Sequence, residues 1–527
     1  MLQFALKAPN PTAVYISIPM LVFFFALMIG VGIATRRHAK SVDGFVLGGR
    51  SVGPWLTAFA FGTSYFSAVI FVGYAGQFGF NFGLASTWIG LGNAFIGSLL
   101  AWMVLGKRTR IMTNHLESKT MPDFFEKRYN SKGLKIAASI IVFVFLIPYT
   151  ASLYNGLSSL FNNVFAIDYW VVVLIMAVLT GIYVIFGGYM ATAINDFIQG
   201  MVMLVGIVSV VAAVLIKNGG FSAAVKALET SEHAGSEYVS LFGADPVSLL
   251  FVVLLTSLGT WGLPQMVGKF YSIKDEGAIH KGTVISTIFA VIVAGGCYFL
   301  GGFGRLYFEP LKNAGYITEK AVMFDKIIPT MLSDLSPFIV SLVIVLVLAA
   351  SMSTLSSLVL TSASTLTLDV VGPAAAKKSK PLSEGKKVLV MRLFIVFFIA
   401  VSAVIAILKD SIWKDSVFIA QMMGVSWGAL AGSFLAPFMY GLYSKKVTKA
   451  SVLASFIFGT GLELVQLLIS VGAIHLNGGV LGFVFKNSLY SGVFAMVGGL
   501  IIVPIVSALT QKTAIKDAEQ KFACYNK

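Results

Sequence analysis

At 527 residues, with 57% hydrophobic and only 12% charged side chains and a mean hydropathy of +0.87, the chain falls outside the soluble globular range and reads as an all-α polytopic membrane protein. A net charge of +15 would suggest nucleic acid as partner of a soluble chain; here its distribution between loops is what informs, and the partner is the lipid bilayer, with no nucleic acid. Two cysteines, Cys297 in an apolar span and Cys524 near the end, exclude a disulfide framework and a cysteine metal cluster.

The first apolar run, Ala13 to Ala34, is followed by Arg36, Arg37, Lys40 and Arg50. A signal peptide has the opposite polarity, so this run is expected to be a retained span with its N-terminus outside. Further spans are expected at about Gly53 to Gly79, Phe82 to Gly106, Ile136 to Asn162, Tyr169 to Gly188 and Ala193 to Ile216. The second half continues with Val247 to Val267, Val284 to Tyr307, Pro337 to Leu368, Val388 to Leu408, Val417 to Tyr443, Ser451 to Val471 and Ser488 to Leu509. That makes thirteen, ahead of a short basic tail from 510 to 527. With alternate loops assigned to opposite sides, 28 of the 38 Lys and Arg fall on one side, which predicts a cytoplasmic C-terminus in a plasma-membrane protein. The outside loops Lys217 to Pro246 and Glu309 to Ser336 are long enough for either lids or ordinary surface loops.

Two spans are interrupted. The second carries Phe61-Gly62-Thr63-Ser64-Tyr65-Phe66-Ser67-Ala68, and the seventh carries Thr256-Ser257-Leu258-Gly259-Thr260-Trp261-Gly262-Leu263-Pro264-Gln265. Glycine, small polar residues and proline in mid-span either make simple kinks or unwind the helix beside protein or a water-filled cavity. Spans two and seven are the first members expected of two five-span inverted repeats, residues 53–216 and 247–443, with additional helices at 13–34 and 451–509.

The ninth span is over-polar. Five hydroxyls fall within the seven residues Ser351 to Ser357, and Ala350, Ser353 and Thr354 share one helix face at i, i+3 and i+4. Two readings stand: small-residue glue between helices, or neutral oxygens that suit a monovalent cation such as sodium. Asp196 is acidic at the inside end of the sixth span, where it either attracts cations or caps its helix; Glu463, in the twelfth span, is a functional candidate or a helix contact.

In order and spacing, Gly44-Phe45-Val46-Leu47-Gly48-Gly49-Arg50-Ser51-Val52-Gly53-Pro54, Phe186-Gly187-Gly188-Tyr189, Asn195-Asp196-Phe197-Ile198-Gln199-Gly200, Trp261-Gly262-Leu263-Pro264 and Ala349-Ala350-Ser351-Met352-Ser353-Thr354-Leu355 resemble the sodium:solute symporter family, most closely its proline and pantothenate branches. The resemblance implies thirteen spans in the five-plus-five inverted-repeat, amino acid-polyamine-cation-like fold, and uptake of a small organic solute coupled to sodium. It implies a sodium site made of the backbone oxygens of Thr63 and Phe66, the carbonyl of Ala350 and the hydroxyls of Ser353 and Thr354. Asp196 falls on a family aspartate linked to sodium dependence. Tyr65, Ser67, Tyr149, Thr260, Trp261 and Pro264 are the candidate solute contacts. Tyr65 stands where the proline branch has aspartate, and Thr256 and Thr260 replace that branch's tryptophan and tyrosine. The implied solute is carboxylate-bearing, like pantothenate or proline, with a monocarboxylate or sugar as the alternative.

A solute-binding sensor with a transporter fold is the competing class, although only a short tail follows Leu509. An enzyme would need convergent His, Cys or acidic residues; the five histidines lie in or near loops without a ligand-spaced pair. No cofactor beyond sodium as co-transported substrate, and no obligatory protein partner, is expected.

Overall fold

The computed structural model describes residues 11–526 except 166, 320, 379, 413–418, 477, 514 and 516. Lys7, Lys320, Lys414, Lys516 and Lys527 of the loop-charge comparison, and Val417 at the head of the eleventh expected span, lie outside the described residues. Among the described residues the structure is helical, with only two isolated bridges, Val52 to Ile273 and Ile317 to Val322. The principal helices are α1 (Pro11–Ala34), α2 (Pro54–Tyr65), α3 (Lys132–Phe165), α4 (Tyr169–Lys217), α5 (Pro246–Leu258) and α6 (Pro264–Ser272). They continue with α7 (Glu276–Ala290), α8 (Pro337–Thr365), α9 (Glu384–Ile412), α10 (Ile419–Tyr443), α11 (Lys449–Ser470) and α12 (Ser488–Leu509). Proline opens α2, α5, α6 and α8, at the turn where its missing N–H is not needed. Asp245 and Thr448 cap α5 and α11 by accepting from the N–H groups of Ser248 and Ser451.

Among the described residues, 10 helices are long and apolar enough to cross a membrane, or 11 with the bent pair α5 and α6 taken as one. Thirteen were expected, and the difference has local causes. The second expected span is divided, because α2 holds only 12 residues before the chain unwinds. The fifth and sixth form the single 49-residue run α4, broken at Gly188 with φ 56° and ψ −146°. The Gly188 break folds the run back on itself. Tyr183 abuts Gly32 of α1, while Asn195 donates to the Met28 carbonyl one turn away on α1. In a straight helix residues 183 and 195 would stand about 18 Å apart. Gly83, with φ 63° and ψ −142°, makes the same excursion after Ala75–Phe82, in a region of backbone space that only glycine occupies freely.

The breaks in the second and seventh expected spans match closely. Phe66 ends α2 with φ −83° and ψ 115°; Leu263, before α6, has φ −82° and ψ 120°. Both segments leave the helix for one or two residues and resume it, at Ala68 and at Pro264, so carbonyls before each break lose their helical donors.

Helix α8 is the axis of the fold. It packs on α1, α2, α3, α4, α6 and α9, and from Val343 to Leu360 every side chain is buried. The remaining helices α10, α11 and α12 pack on one another through glycines: a Cβ at Gly459 would fall 2.5 Å from the Gly432 backbone. Glu463 is buried among them, against Gly428 and near Gly492.

Charged residues hold both ends. Lys135 Nζ reaches Asp123 at 2.9 Å, Glu126 at 2.8 Å and Asp369 at 3.4 Å, and Thr120 donates to Asp369 at 2.6 Å, so the Met121–Tyr129 helix is tied to α3 and to the chain following α8. Burial opposes ionisation of Asp123, but Lys135 and Lys127 outweigh it and hold that carboxyl below the usual carboxylate range. At the other end the long loop after α4 is pinned down: Trp88 Nε1 donates to the Leu241 carbonyl at 2.9 Å, and the Arg305 guanidinium lies 3.9 Å from the Tyr238 ring.

Candidate functional site

The break after Tyr65 sets two carbonyl oxygens against the polar face of α8. Ser353 Oγ lies 3.1 Å from the Thr63 oxygen and 3.0 Å from the Ala350 oxygen. Thr354 Oγ1 lies 3.2 Å from Thr63 O, 3.3 Å from Phe66 O and 3.2 Å from Ala350 O. All five residues are fully buried. Two hydroxyls own two protons, so they cannot donate along all five of these approaches. The result is a point where oxygen lone pairs outnumber protons, in a set whose five members are all neutral. Such a set fits a small monovalent cation and is weak for a divalent one.

One residue further along α2 and one turn further along α8, Ser64 Oγ and Ser357 Oγ are 2.9 Å apart, and Lys269 Nζ of α6 donates to Ser357 Oγ at 3.0 Å. The same ammonium lies 3.5 Å from Asp196 Oδ2. Asp196 thus sits beside the oxygen set, on the returning half of α4, whose Gly200 packs against Phe59 and Thr63 of α2. Lys269 was expected to open the following loop; it is instead buried on α6, flanked by Val267, Phe270 and Tyr271. Its signal in the sequence was a lone charge five residues after Pro264 within apolar surroundings.

A crevice of about 50 Å³ approaches the Lys269 ammonium. Its wall includes Lys119, Thr120, Tyr189, Pro264, Gln265, Lys269, Ser357 and Thr361. The crevice therefore places Lys269 and Ser357 on one wall with the half-buried Lys119, and no residue of the oxygen set lines it.

The candidate solute contacts divide into three groups. Tyr65 and Ser67 flank the break in the second span, both buried. Thr260 and Trp261 are committed to a neighbouring helix: Thr260 Oγ1 approaches Gly97 O at 3.1 Å and Ser257 O at 2.9 Å, and Trp261 Nε1 donates to Ile96 O at 3.0 Å. Pro264 lines the crevice, and Tyr149 meets Trp427 of α10 edge-on with ring centroids 6.0 Å apart. Two buried polar groups escaped the sequence reading. Trp427 lies over Gly259, and Asn93 Oδ1 accepts from Ser257 Oγ at 3.1 Å; neither is distinguishable in sequence from ordinary span residues.

A family model described as the sodium:solute symporter family matches residues 45–459, a stretch that contains every residue of the oxygen set. The chain belongs to that family. The sodium/proline symporter of Staphylococcus aureus strain JH9 is 26% identical over 508 residues, covering 94% of this chain and 92% of the relative. A solved sodium-coupled sialic acid symporter, substrate-bound and outward-open, is similar with a TM-score of 0.71 and 18% identity, over 94% of this chain and 98% of that one. The manganese transporter of Eremococcus coleocola gives a TM-score of 0.51 at 14% identity, over 87% of this chain and 95% of its own. At these identities the two structures establish a shared fold. Membership makes this chain a multi-pass membrane transporter of the sodium:solute symporter family, not an enzyme family, with sodium and a small solute as its transported species.

Proposed function

We propose that the chain imports a small carboxylate-bearing solute together with sodium, and that sodium binds between α2 and α8 on the oxygens of Thr63, Phe66, Ala350, Ser353 and Thr354. The observation that carries this reading is the surplus of lone pairs over protons where the two hydroxyls meet three carbonyls. A cation there draws the broken second span onto α8, and the break is where the solute meets the protein, so each ligand favours the arrangement the other needs.

The solute assignment rests on two features. The break at Leu263 leaves the amino end of α6 facing the interior, and a helix amino end favours negative charge. Proline and sialic acid, for which two similar proteins are named, are both carboxylic acids. Tyr65, Ser67, Tyr149 and Pro264 are the proposed solute contacts, with Thr260 and Trp261 holding the seventh span in place behind them. Tyr65, where the proline branch has aspartate, resembles the pantothenate branch, which supports pantothenate-like solutes over proline itself. Thirteen spans in a five-plus-five inverted repeat, with the N-terminus outside and the C-terminus cytoplasmic, is the topology proposed here. The matching dihedral angles at Phe66 and Leu263 and the glycine turn at Gly188 support it.

The test is uptake of labelled pantothenate and proline by cells expressing the chain, in sodium and in choline medium, with amino acids, monocarboxylates and sugars as competitors. Accumulation that requires sodium and is blocked by carboxylates supports the reading. Saturable solute binding without accumulation would mark a sensor instead, and competition by sugars alone would remove the carboxylate.

A further inference from the structure

Lys269 and Asp196 form a buried ion pair that the proposed sodium set does not use. The ammonium is 4% exposed and the carboxylate fully buried. Burying two charges is costly, and an isolated pair replaced by apolar side chains is often as stable, so packing alone gives no reason to keep it. Its placement is specific. Ser357 and Thr354 stand at i and i−3 on α8, and Ser64 follows Thr63 on α2, so the ammonium occupies the next polar layer below the sodium oxygens. That layer has the makings of a second cation site: a carboxylate with Oδ1 free of hydrogen bonds among the described residues, and two hydroxyls. It is also reachable, since Lys269 and Ser357 line the crevice together with the half-buried Lys119.

We propose that Lys269 is a tethered cation: its ammonium fills the Asp196 and Ser357 layer in place of a mobile ion, so that the chain carries one sodium at the α2–α8 set and Asp196 ligates none. This rests on the sodium reading above. The pair is neutral overall, which lets sodium enter and leave the neighbouring oxygens without a bare carboxylate below to trap it. Removing the ammonium exposes that carboxylate and creates a second sodium site from residues already in place. Lys269 acts here by position and charge, not by contact with the transported ion.

The experiment is saturation binding of radioactive sodium to the purified full-length protein in nanodiscs, counted per chain, which needs no knowledge of the solute. The wild type is expected to bind one ion, Lys269→Gln two and Lys269→Arg one. A Lys269→Gln/Asp196→Asn double variant removes both charges together, keeps the layer neutral and is expected to bind one; it serves if the single variant fails to fold. Ser353→Ala/Thr354→Ala in the wild-type background should abolish binding, and in the Lys269→Gln background should leave one ion. Two ions in the wild type, one in a folded Lys269→Gln, or none in the double variant would overturn the proposal. No sodium bound by the wild type would refute the sodium reading itself, a distinguishable result.

Discussion

Ser353 and Thr354 each hold a proton that several carbonyls share, so the two residues contribute in the same way and their loss should look alike. Ser353→Ala or Thr354→Ala removes one oxygen from the proposed sodium set, worth about 1 to 2 kcal/mol, and should raise the sodium concentration for half-maximal uptake roughly tenfold. Thr354→Ser keeps the oxygen and should stay near the wild type. The measurement is sodium activation of uptake at matched protein abundance; unchanged activation in both alanine variants would remove the assignment. At this scale the sequence was informative where it clustered hydroxyls at helical spacing. It misplaced Lys269, because a charge near the expected end of a span reads as loop, and only the extension of α6 to Ser272 buries it. It was silent on Trp427 and Asn93 for a different reason: their partners Gly259 and Ser257 are 168 and 164 positions away, and no local period encodes such contacts.

Helix breaks organise the next scale. Gly188 adopts φ 56°, and an added Cβ would stand 2.9 Å from the Phe45 carbonyl oxygen, so Gly188→Ala meets both backbone strain and a clash. It should lower the yield of folded protein and the thermal midpoint in detergent by several degrees, whereas Gly30→Ala, with open space around it, should do neither. The charged cluster around Lys135 gives a second prediction. Lys135 bridges three carboxylates, of which Asp123 also pairs with Lys127, and Lys135→Met would remove the one cation they share, at a cost of about 3 kcal/mol. Because Asp123 is held below its usual range, its contribution is fully present above the ordinary aspartate pKa of about 4 and lost as pH falls through the lower folded value. Thermal midpoints measured between pH 8 and pH 3 should therefore drop at the acid end, less steeply in Asp123→Asn; equal acid sensitivity would show that this carboxyl is not responsible. The alternation of apolar runs and the two glycine-rich interruptions were legible in sequence, since both are local. How the pieces join was less so. The 49-residue run of α4 and the divided second span depend on single-residue dihedral angles that composition does not fix.

For the whole molecule, the central consequence of the single sodium proposed between α2 and α8 is energetic coupling. At 100 mV, inside negative, one inward charge supplies about 2.3 kcal/mol, or roughly 50-fold in solute gradient before any sodium gradient is added. Imposing that potential with a potassium gradient and valinomycin in proteoliposomes, at equal sodium on both sides, should drive accumulation by itself, and collapsing it should release the solute. The fold class and the family were legible in sequence because motifs recur in fixed order over a long stretch of the chain, from Gly44 to Leu355. The solute was not, because the side chains that surround the breaks come from at least four helices, and Thr260 and Trp261 turn out to bond to the Ile96–Gly97 backbone.

The most direct test is sodium-dependent uptake of labelled pantothenate and proline into proteoliposomes, comparing the wild type with Ser353→Ala/Thr354→Ala across a range of sodium concentrations. The account predicts accumulation only with sodium outside, and a sodium requirement raised at least tenfold in the double variant at unchanged protein density. Uptake that is equal in choline, or a sodium dependence identical in the two proteins, would contradict it.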